Sequence, residues 1–320
     1  MDVSRFCSAA RLLIVAGKGG VGKTSVTAAL AKMAAAAGLS ALIVEVEGKS
    51  GIGTIFGHPE PLSYEPVTLC APDGDGAAGT VRARTLTADD ALLEYLEEHG
   101  MRRVSKRLSR SGALDVVATA VPGIKDILVL GKVKQLERAE AADLIILDAP
   151  AAGHAVTFLT SASGLLDSAR VGPIRAQAAD VVELLADPSR CQVLLVTLAE
   201  ETPVNEVVET AYKLEDRVGV KLGPVVVNGL YPRLEGLGAH PSQAAAAAGI
   251  AVSEEQVRDL RAAADFRRRR QDLQAEQVER LAKTLPLDQL RLPFLFTPEV
   301  RPGDLDVLAR QLTAEVAGLL

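Results

Sequence analysis

The sequence predicts an α/β fold, a mostly parallel sheet flanked by helices on both faces, on three observations. Short apolar runs alternate with helix-length segments along the chain. The runs are continuous in Val, Ile and Leu rather than alternating with polar residues, as strands covered on both faces require. The first run, Leu12–Ala16, passes through a glycine-rich turn into an alanine-rich segment, the strand–loop–helix step from which parallel sheets are built.

Taken in order, the expected strands are Leu12–Ala16, Leu42–Val46, Leu144–Leu147, Val193–Thr197, Val225–Asn228 and Arg291–Leu295, with a helix over roughly Lys23–Ala37. Two regions break the rhythm. Ala71–Thr80 is a Gly/Asp loop, and Ala88–Ala142 is a helical block without a convincing strand, interrupted at Gly100, Ser111-Gly112 and Pro122-Gly123. This block reads as a helical subdomain inserted between strands. A second helical region covers Ser242–Leu285, in which Ala244–Ala248 suits either a helix or a loop. No second copy of the glycine-rich turn occurs, so residues 1–320 read as a single domain.

Composition narrows the class. A chain of 320 residues, 48% hydrophobic and 24% charged, folds around a large core. Aromatic residues make up only 3% and tryptophan is absent, so that core is packed with Ala, Val and Leu. A net charge of −6 argues against nucleic acid as a main partner. The one dense basic run, Arg267–Arg270, is interleaved with acids. Phe266, Leu273 and Leu281 around it fall near helical spacing, the pattern of a solvated amphipathic helix. Cys7, Cys70 and Cys191 are far apart and lack CxxC spacing, so neither zinc, an iron–sulfur cluster nor a disulfide framework is expected. No apolar run reaches the ~20 residues that span a bilayer, and no signal-peptide pattern opens the chain. A cytoplasmic protein is expected.

Gly17-Lys18-Gly19-Gly20-Val21-Gly22-Lys23-Thr24 satisfies GxxxxGK[ST], the phosphate-binding loop of P-loop NTPases. Glycines let backbone N–H groups close around a phosphate, Lys23 supplies a cation, and the Thr24 hydroxyl can ligate Mg²⁺. The helix beginning there points its positive end at the same anion. Gly17, Gly19, Gly20, Val21, Gly22, Lys23, Thr24 and Ser25 are the candidate phosphate contacts.

Such a site also needs an acid at the end of a neighbouring strand to hold the metal, and Leu144–Leu147 terminates in Asp148. His154, in the turn that follows, is either a switch residue or an ordinary helix-start histidine. At the end of the second strand, Glu45 and Glu47 share one side of the chain. A carboxylate at this edge can orient or deprotonate an attacking water. Glu47, beside Gly48, is the better placed candidate and Glu45 the runner-up.

GKGGVGKT, with Lys18 at its second position, resembles the deviant Walker A motif of MinD, ParA, the nitrogenase iron protein and the ArsA ATPases. The similarity is greatest to the branch of ArsA and the tail-anchored-protein targeting ATPase, in the single-unit form found in actinobacteria. Asp148–His154 (DAPAAGH) is similar to that branch's switch II, and Val121–Val133 to its PGIDE segment. Val226-Val227-Asn228 resembles its adenine-binding VNQ, Arg270-Gln271 with Leu273 its RxxxQxxYL helix, and Pro298-Glu299-Val300 its PEE(V/I)RG loop.

The resemblance implies a dimer with ATP or ADP and Mg²⁺ at the interface. Asn228, Pro298 and Val300 would lie at the base, Thr24 and Asp148 at the metal. Lys18 would cross to the partner's nucleotide, where such a cation is worth ~10³–10⁵ in rate. Three departures qualify it. Switch I carries Glu47 where the branch has aspartate, and a ~1 Å misplacement can cost ~10²-fold, so slow hydrolysis is predicted. The zinc-bridging CxxC is replaced by residues 260–265, LRAAAD, and the arsenite-site cysteines are missing.

Three readings follow. In the first, nucleotide opens and closes a dimer, of identical chains or of paralogues, whose helical block handles an unknown protein client through Leu92, Leu93, Leu96, Leu128, Val129 and Leu130. The second is a weakly hydrolysing regulatory subunit beside a paralogue. The third is a positioning ATPase of the MinD or ParA kind, disfavoured because Asp304–Leu320 carries one cation, Arg310.

Overall fold

The computed structural model describes residues 1–46, 51–71, 79–98, 100, 101, 103, 123–168 and 173–319. The strands are β1 (Leu12–Gly17), β2 (Ala41–Val46), β3 (Val67–Cys70), β4 (Val81–Leu86), β5 (Leu144–Ala151), β6 (Cys191–Leu198), β7 (Lys221–Leu222), β8 (Val225–Leu230) and β9 (Gln289–Pro293). They form one sheet ordered β3-β4-β2-β5-β1-β6-β8-β9, with β7 beside β6. Every pairing is parallel except β3 against β4.

The described helices are α1 (Val3–Cys7), α2 (Lys23–Ala36), α3 (Gly51–Ile55), α4 (Ala88–Glu98), α5 (Ile124–Arg138), α6 (Ala152–Ser168), α7 (Pro173–Ala186), α8 (Glu201–Val218), α9 (Pro241–Ala247), α10 (Glu254–Thr284) and α11 (Pro302–Ala317). Strand alternation sorts the core into two layers. Leu12, Ile14 and Ala16 of β1 face a cluster with residues of α5, α6, α7 and α8, whereas Leu13 and Val15 face α1, α2, α3 and α11. With apolar partners on both sides, a strand has no solvent face to carry polar residues, hence the continuous runs.

Differences from the sequence expectation have identifiable causes. β3 and β4 were not expected. β4 reads Val-Arg-Ala-Arg-Thr-Leu, and the buried Arg84 lies 4.4 Å from the Tyr64 ring centroid, so a charged residue sits inside a strand. In the helical block, Leu96, Val129 and Leu130 are buried in the chain's own interior and line no client groove. Ala244–Ala247 lie in α9, so the alanine run is helical. α10 starts at a capping box, with the Gln256 N–H donating to Ser253 Oγ and the Ser253 N–H to Gln256 Oε1. Leu281 is buried as spacing suggests, but Phe266 and Leu273 are exposed. The apolar face of α10 is therefore not continuous, because the sheet edge reaches only its second half.

α11 lays Leu305, Leu308, Leu312 and Val316 into the layer containing α2, which leaves its apolar side covered. Among the described residues no helix is long and apolar enough to cross a membrane.

Candidate nucleotide site

The site forms where β1 ends beside β5 and β6. β1 closes with Gly17 in register with Val196 of β6. A Cβ built on Gly17 would stand 2.3 Å from the Val196 carbonyl oxygen, so only glycine lets the loop leave the sheet here. At its other end, Gly22 has φ 88° and caps the start of α2. A Cβ there would meet Asn228 Nδ2 at 2.3 Å. The Asn228 amide donates to the Val21 carbonyl at 2.9 Å and braces the loop from β8. In this structure the predicted base contact is thus also a support for the phosphate loop.

α2 opens with no acidic residue in its first turn and no side-chain cap, which suits an anion at its N-terminus. Lys23 is buried, and its ammonium donates to the Lys18 carbonyl at 2.9 Å. The Thr24 hydroxyl donates to Asp148 Oδ2 at 3.0 Å. Asp148 is 0% exposed and lies in register with Val15 of β1 and Glu45 of β2. Thr24 and Asp148, far apart in sequence, are therefore brought together, and their hard oxygen donors fit Mg²⁺.

The other candidates fall elsewhere. Lys18 Nζ pairs with Glu206 Oε1 of α8 at 2.6 Å. Its side chain stays 45% exposed. Pro298 is exposed in the segment between β9 and α11, whereas Val300 is half-buried against the layer containing α2. Glu45 is fully buried and accepts the Ile52 N–H at 3.1 Å, tying α3 to β2. Glu47, with Gly48, Lys49 and Ser50, lies outside the described residues. His154 falls in the first turn of α6.

Two features had no sequence signal. Glu206 is one of several acids along α8, and nothing in the string marks it as the partner of Lys18. Tyr231, Phe294 and Phe296 cluster with centroids 4.7–5.1 Å apart just beyond Asn228, and the Arg267 guanidinium stacks over two of the rings. Gln274 of α10 joins this cluster to the sheet, accepting the Tyr231 N–H and donating to the Gly229 carbonyl.

A parallel sheet, a strand–glycine loop–helix unit and a strand-end aspartate on the loop threonine define a P-loop NTPase. A family model described as anion-transporting ATPase, of the ArsA type, matches residues 10–169. The chain is 36% identical over 228 residues to ATPase BagA of Mycobacterium tuberculosis, covering 69% of this chain and 65% of that protein. It is 28% identical over 243 residues to an arsenical pump-driving ATPase of Escherichia coli, covering 70% of this chain and 40% of that one. A counterpart from Acidiphilium multivorum matches to the same extent, 28% over 243 residues. The chain belongs to the ArsA ATPase family. Its match spans somewhat less than two thirds of the mycobacterial relative's length and well under half of the pump ATPases'.

Proposed function

We propose that this chain is a Mg²⁺-dependent ATPase working as a nucleotide-gated dimeric switch. The observation that carries the reading is the meeting of Thr24 and Asp148 at 3.0 Å beside the phosphate loop. Bound ATP is held by backbone N–H groups of Gly19–Gly22 and the first turn of α2, and Lys23 turns from the Lys18 carbonyl to the β- and γ-phosphates. Thr24 and Asp148 would hold Mg²⁺, which would supply positive charge beside the phosphates. Asn228, already engaged through its amide nitrogen, offers its Oδ1 to the base, and Pro298 and Val300 border that end. Glu47 orients the attacking water.

Lys18 acts on the other chain of the pair. In the single chain its charge rests on Glu206, so nucleotide-driven pairing exchanges an ion pair within one chain for one between chains. A half-exposed pair of this kind is worth ~0.2–1 kcal/mol, a restraint that a triphosphate overcomes. The partner is a second copy or a paralogue, and the dimer's opening acts on a protein client. The names of the relatives support ATP hydrolysis, but arsenical cargo does not carry over: Cys7 and Cys191 are buried separately and Cys70 lies on β3.

Phosphate release tests the reading. Wild type turns over ATP with Mg²⁺ and stops with chelator, and Asp148→Asn lowers turnover by about 10²–10³-fold, the size of losing one charge-stabilising group. Turnover unchanged in Asp148→Asn contradicts it.

A further inference from the structure

On the face of the sheet opposite α2, the helices α4, α5 and α7 enclose a cleft of about 430 Å³. That volume falls within the range of small-molecule sites. Leu128, Gly131, Lys132, Gln135 and Arg138 recur every three or four residues, so one face of α5 forms its floor. Crevices between packed helices are ordinarily apolar, but this wall carries Lys132, Lys134 and Arg138 against one carboxylate, Asp180 of α7. The floor is shaped by a glycine. A Cβ on Gly131 would stand 1.8 Å from Gln177 Nε2. Glycine inside a helix costs roughly 0.5–1 kcal/mol, and here it lets the Gln177 amide lie against the backbone of α5.

The charges around the cleft leave an excess of cations. Asp180 is shared: Lys134 Nζ donates to its Oδ2 at 2.8 Å and Arg138 Nη1 to the same oxygen at 3.3 Å. Lys134 also reaches Gln177 Oε1 at 3.3 Å. Lys132 donates to Glu94 of α4 at 2.6 Å and to Gln135 Oε1 at 3.0 Å. Glu94 gives its other oxygen to the Tyr64 hydroxyl at 2.5 Å. Arg84 of β4, stacked on the same Tyr64 ring and 5% exposed, adds a cation whose Nε has no hydrogen-bond acceptor. Asp90, the further acid near Tyr64, accepts from the Thr87 hydroxyl at the start of α4. The side chains of Lys132 and Lys134 are only 10% and 9% exposed, so their charge is less screened than that of a surface lysine.

We infer that this cleft is a second anion site, taking a small organic molecule with at least two negative charges on carboxylate or phosphate groups. Arg138, 49% exposed and holding Asp180 by the longer contact, is the cation free to swing onto the ligand, where its planar fork accepts two oxygens. Lys134 and the Gln177 amide meet the ligand from the floor. Leu128 and Ala176 supply apolar wall for a carbon skeleton. The enclosure by three helices admits a metabolite-sized molecule and excludes a nucleic-acid backbone. Bound there, the ligand fastens α4, the first helix of the helical block, to α5 and α7. It does so on the other side of the sheet from the phosphate loop, without competing for it.

Isothermal titration calorimetry on the full chain tests this, with ADP added in excess to occupy the phosphate loop. Tricarballylate is the carboxylate probe and 2-phosphoglycerate the phosphate probe. At least one binds saturably, and the tighter of the two names the source of the charge. Hydrogen exchange with the probe bound slows in the peptides of α4, α5 and α7. Arg138→Gln, at an exposed position, and Gln177→Glu, which sets a negative charge on the floor, each weaken binding by at least about tenfold, the scale of one charge-assisted hydrogen bond. Circular dichroism verifies that both variants are folded. Failure of both probes to bind overturns the inference. So does either folded variant that binds like wild type, or protection that appears elsewhere in the chain. The readouts are binding and its location, so loss of ATP turnover in a switch variant bears only on the switch reading, and loss of probe binding only on this one.

Discussion

The two ends of the sheet hold their polar groups in opposite ways. At the N-terminal ends of the strands the charged and hydroxyl groups are engaged with one another. Arg190, just before β6, pairs at two points with the buried Glu137 of α5, at 3.1 and 2.5 Å. Ser40 and Asp143, before β2 and β5, exchange three hydrogen bonds of 2.6–2.9 Å. At the C-terminal ends Lys23 rests on a backbone carbonyl and Lys18 on a partly exposed glutamate, contacts that the proposed reading has nucleotide replace. One end is closed by its own contacts. The other is arranged for an incoming anion, which is where open α/β sheets bind ligands.

Substitutions at the two ends should separate chemistry from stability. The largest effect is expected at Lys18. Lys18→Ala lowers ATP turnover by about 10³-fold or more, the scale of a trans-acting cation, with the denaturation midpoint near that of wild type. Turnover within a few-fold of wild type would remove Lys18 from the mechanism and blur the contrast. At the closed end the effect reverses in kind. Arg190→Ala leaves Glu137 buried without its cation and costs about 3 kcal/mol of stability, read by urea unfolding, while turnover per folded molecule is kept. The smallest effect belongs to Ser40. Its two hydrogen bonds hold the Asp143 carboxyl below its ordinary pKa. That contribution is present above the unfolded-state pKa and is lost as pH falls through the lowered one. Ser40→Ala thus removes about 1 kcal/mol or less near neutrality and flattens the acid limb of stability against pH. An acid limb identical to wild type would show the clamp to be inert.

Much of the closed architecture and of the phosphate site was legible in the string because each rests on local pattern. Continuous apolar runs give parallel strands, and the GKGGVGKT loop needs only its flanking strand and helix. The place of Asp148 was legible too, since the apolar run Leu144–Leu147 ends in it, and the fold sets it against Thr24. What escaped depends on contacts between distant segments. β4 was hidden by Arg82 and Arg84, whose cost inside a strand falls only because Tyr64 covers Arg84 and the Ala141 carbonyl accepts from Arg82. Glu206 became visible only once α8 was set beside the loop. Alternation put Glu45 and Glu47 on one side of the chain, but the burial of Glu45 on the Ile52 N–H depends on α3 and has no signal in the strand itself. Phe266 and Leu273 illustrate the reverse error. Their spacing is that of a buried helix face, but both are exposed among the described residues.

The switch account stands on Lys18 acting in trans, and mixing two inactive chains tests it most directly. Lys18→Ala keeps Thr24 and Asp148, and Asp148→Asn keeps Lys18, so a mixed pair contains one complete site. The account predicts that ATP turnover, near background for either variant alone, returns in the equimolar mixture toward a quarter of the wild-type rate, one complete site in half of the pairs. A mixture that stays at the sum of its inactive parts contradicts it.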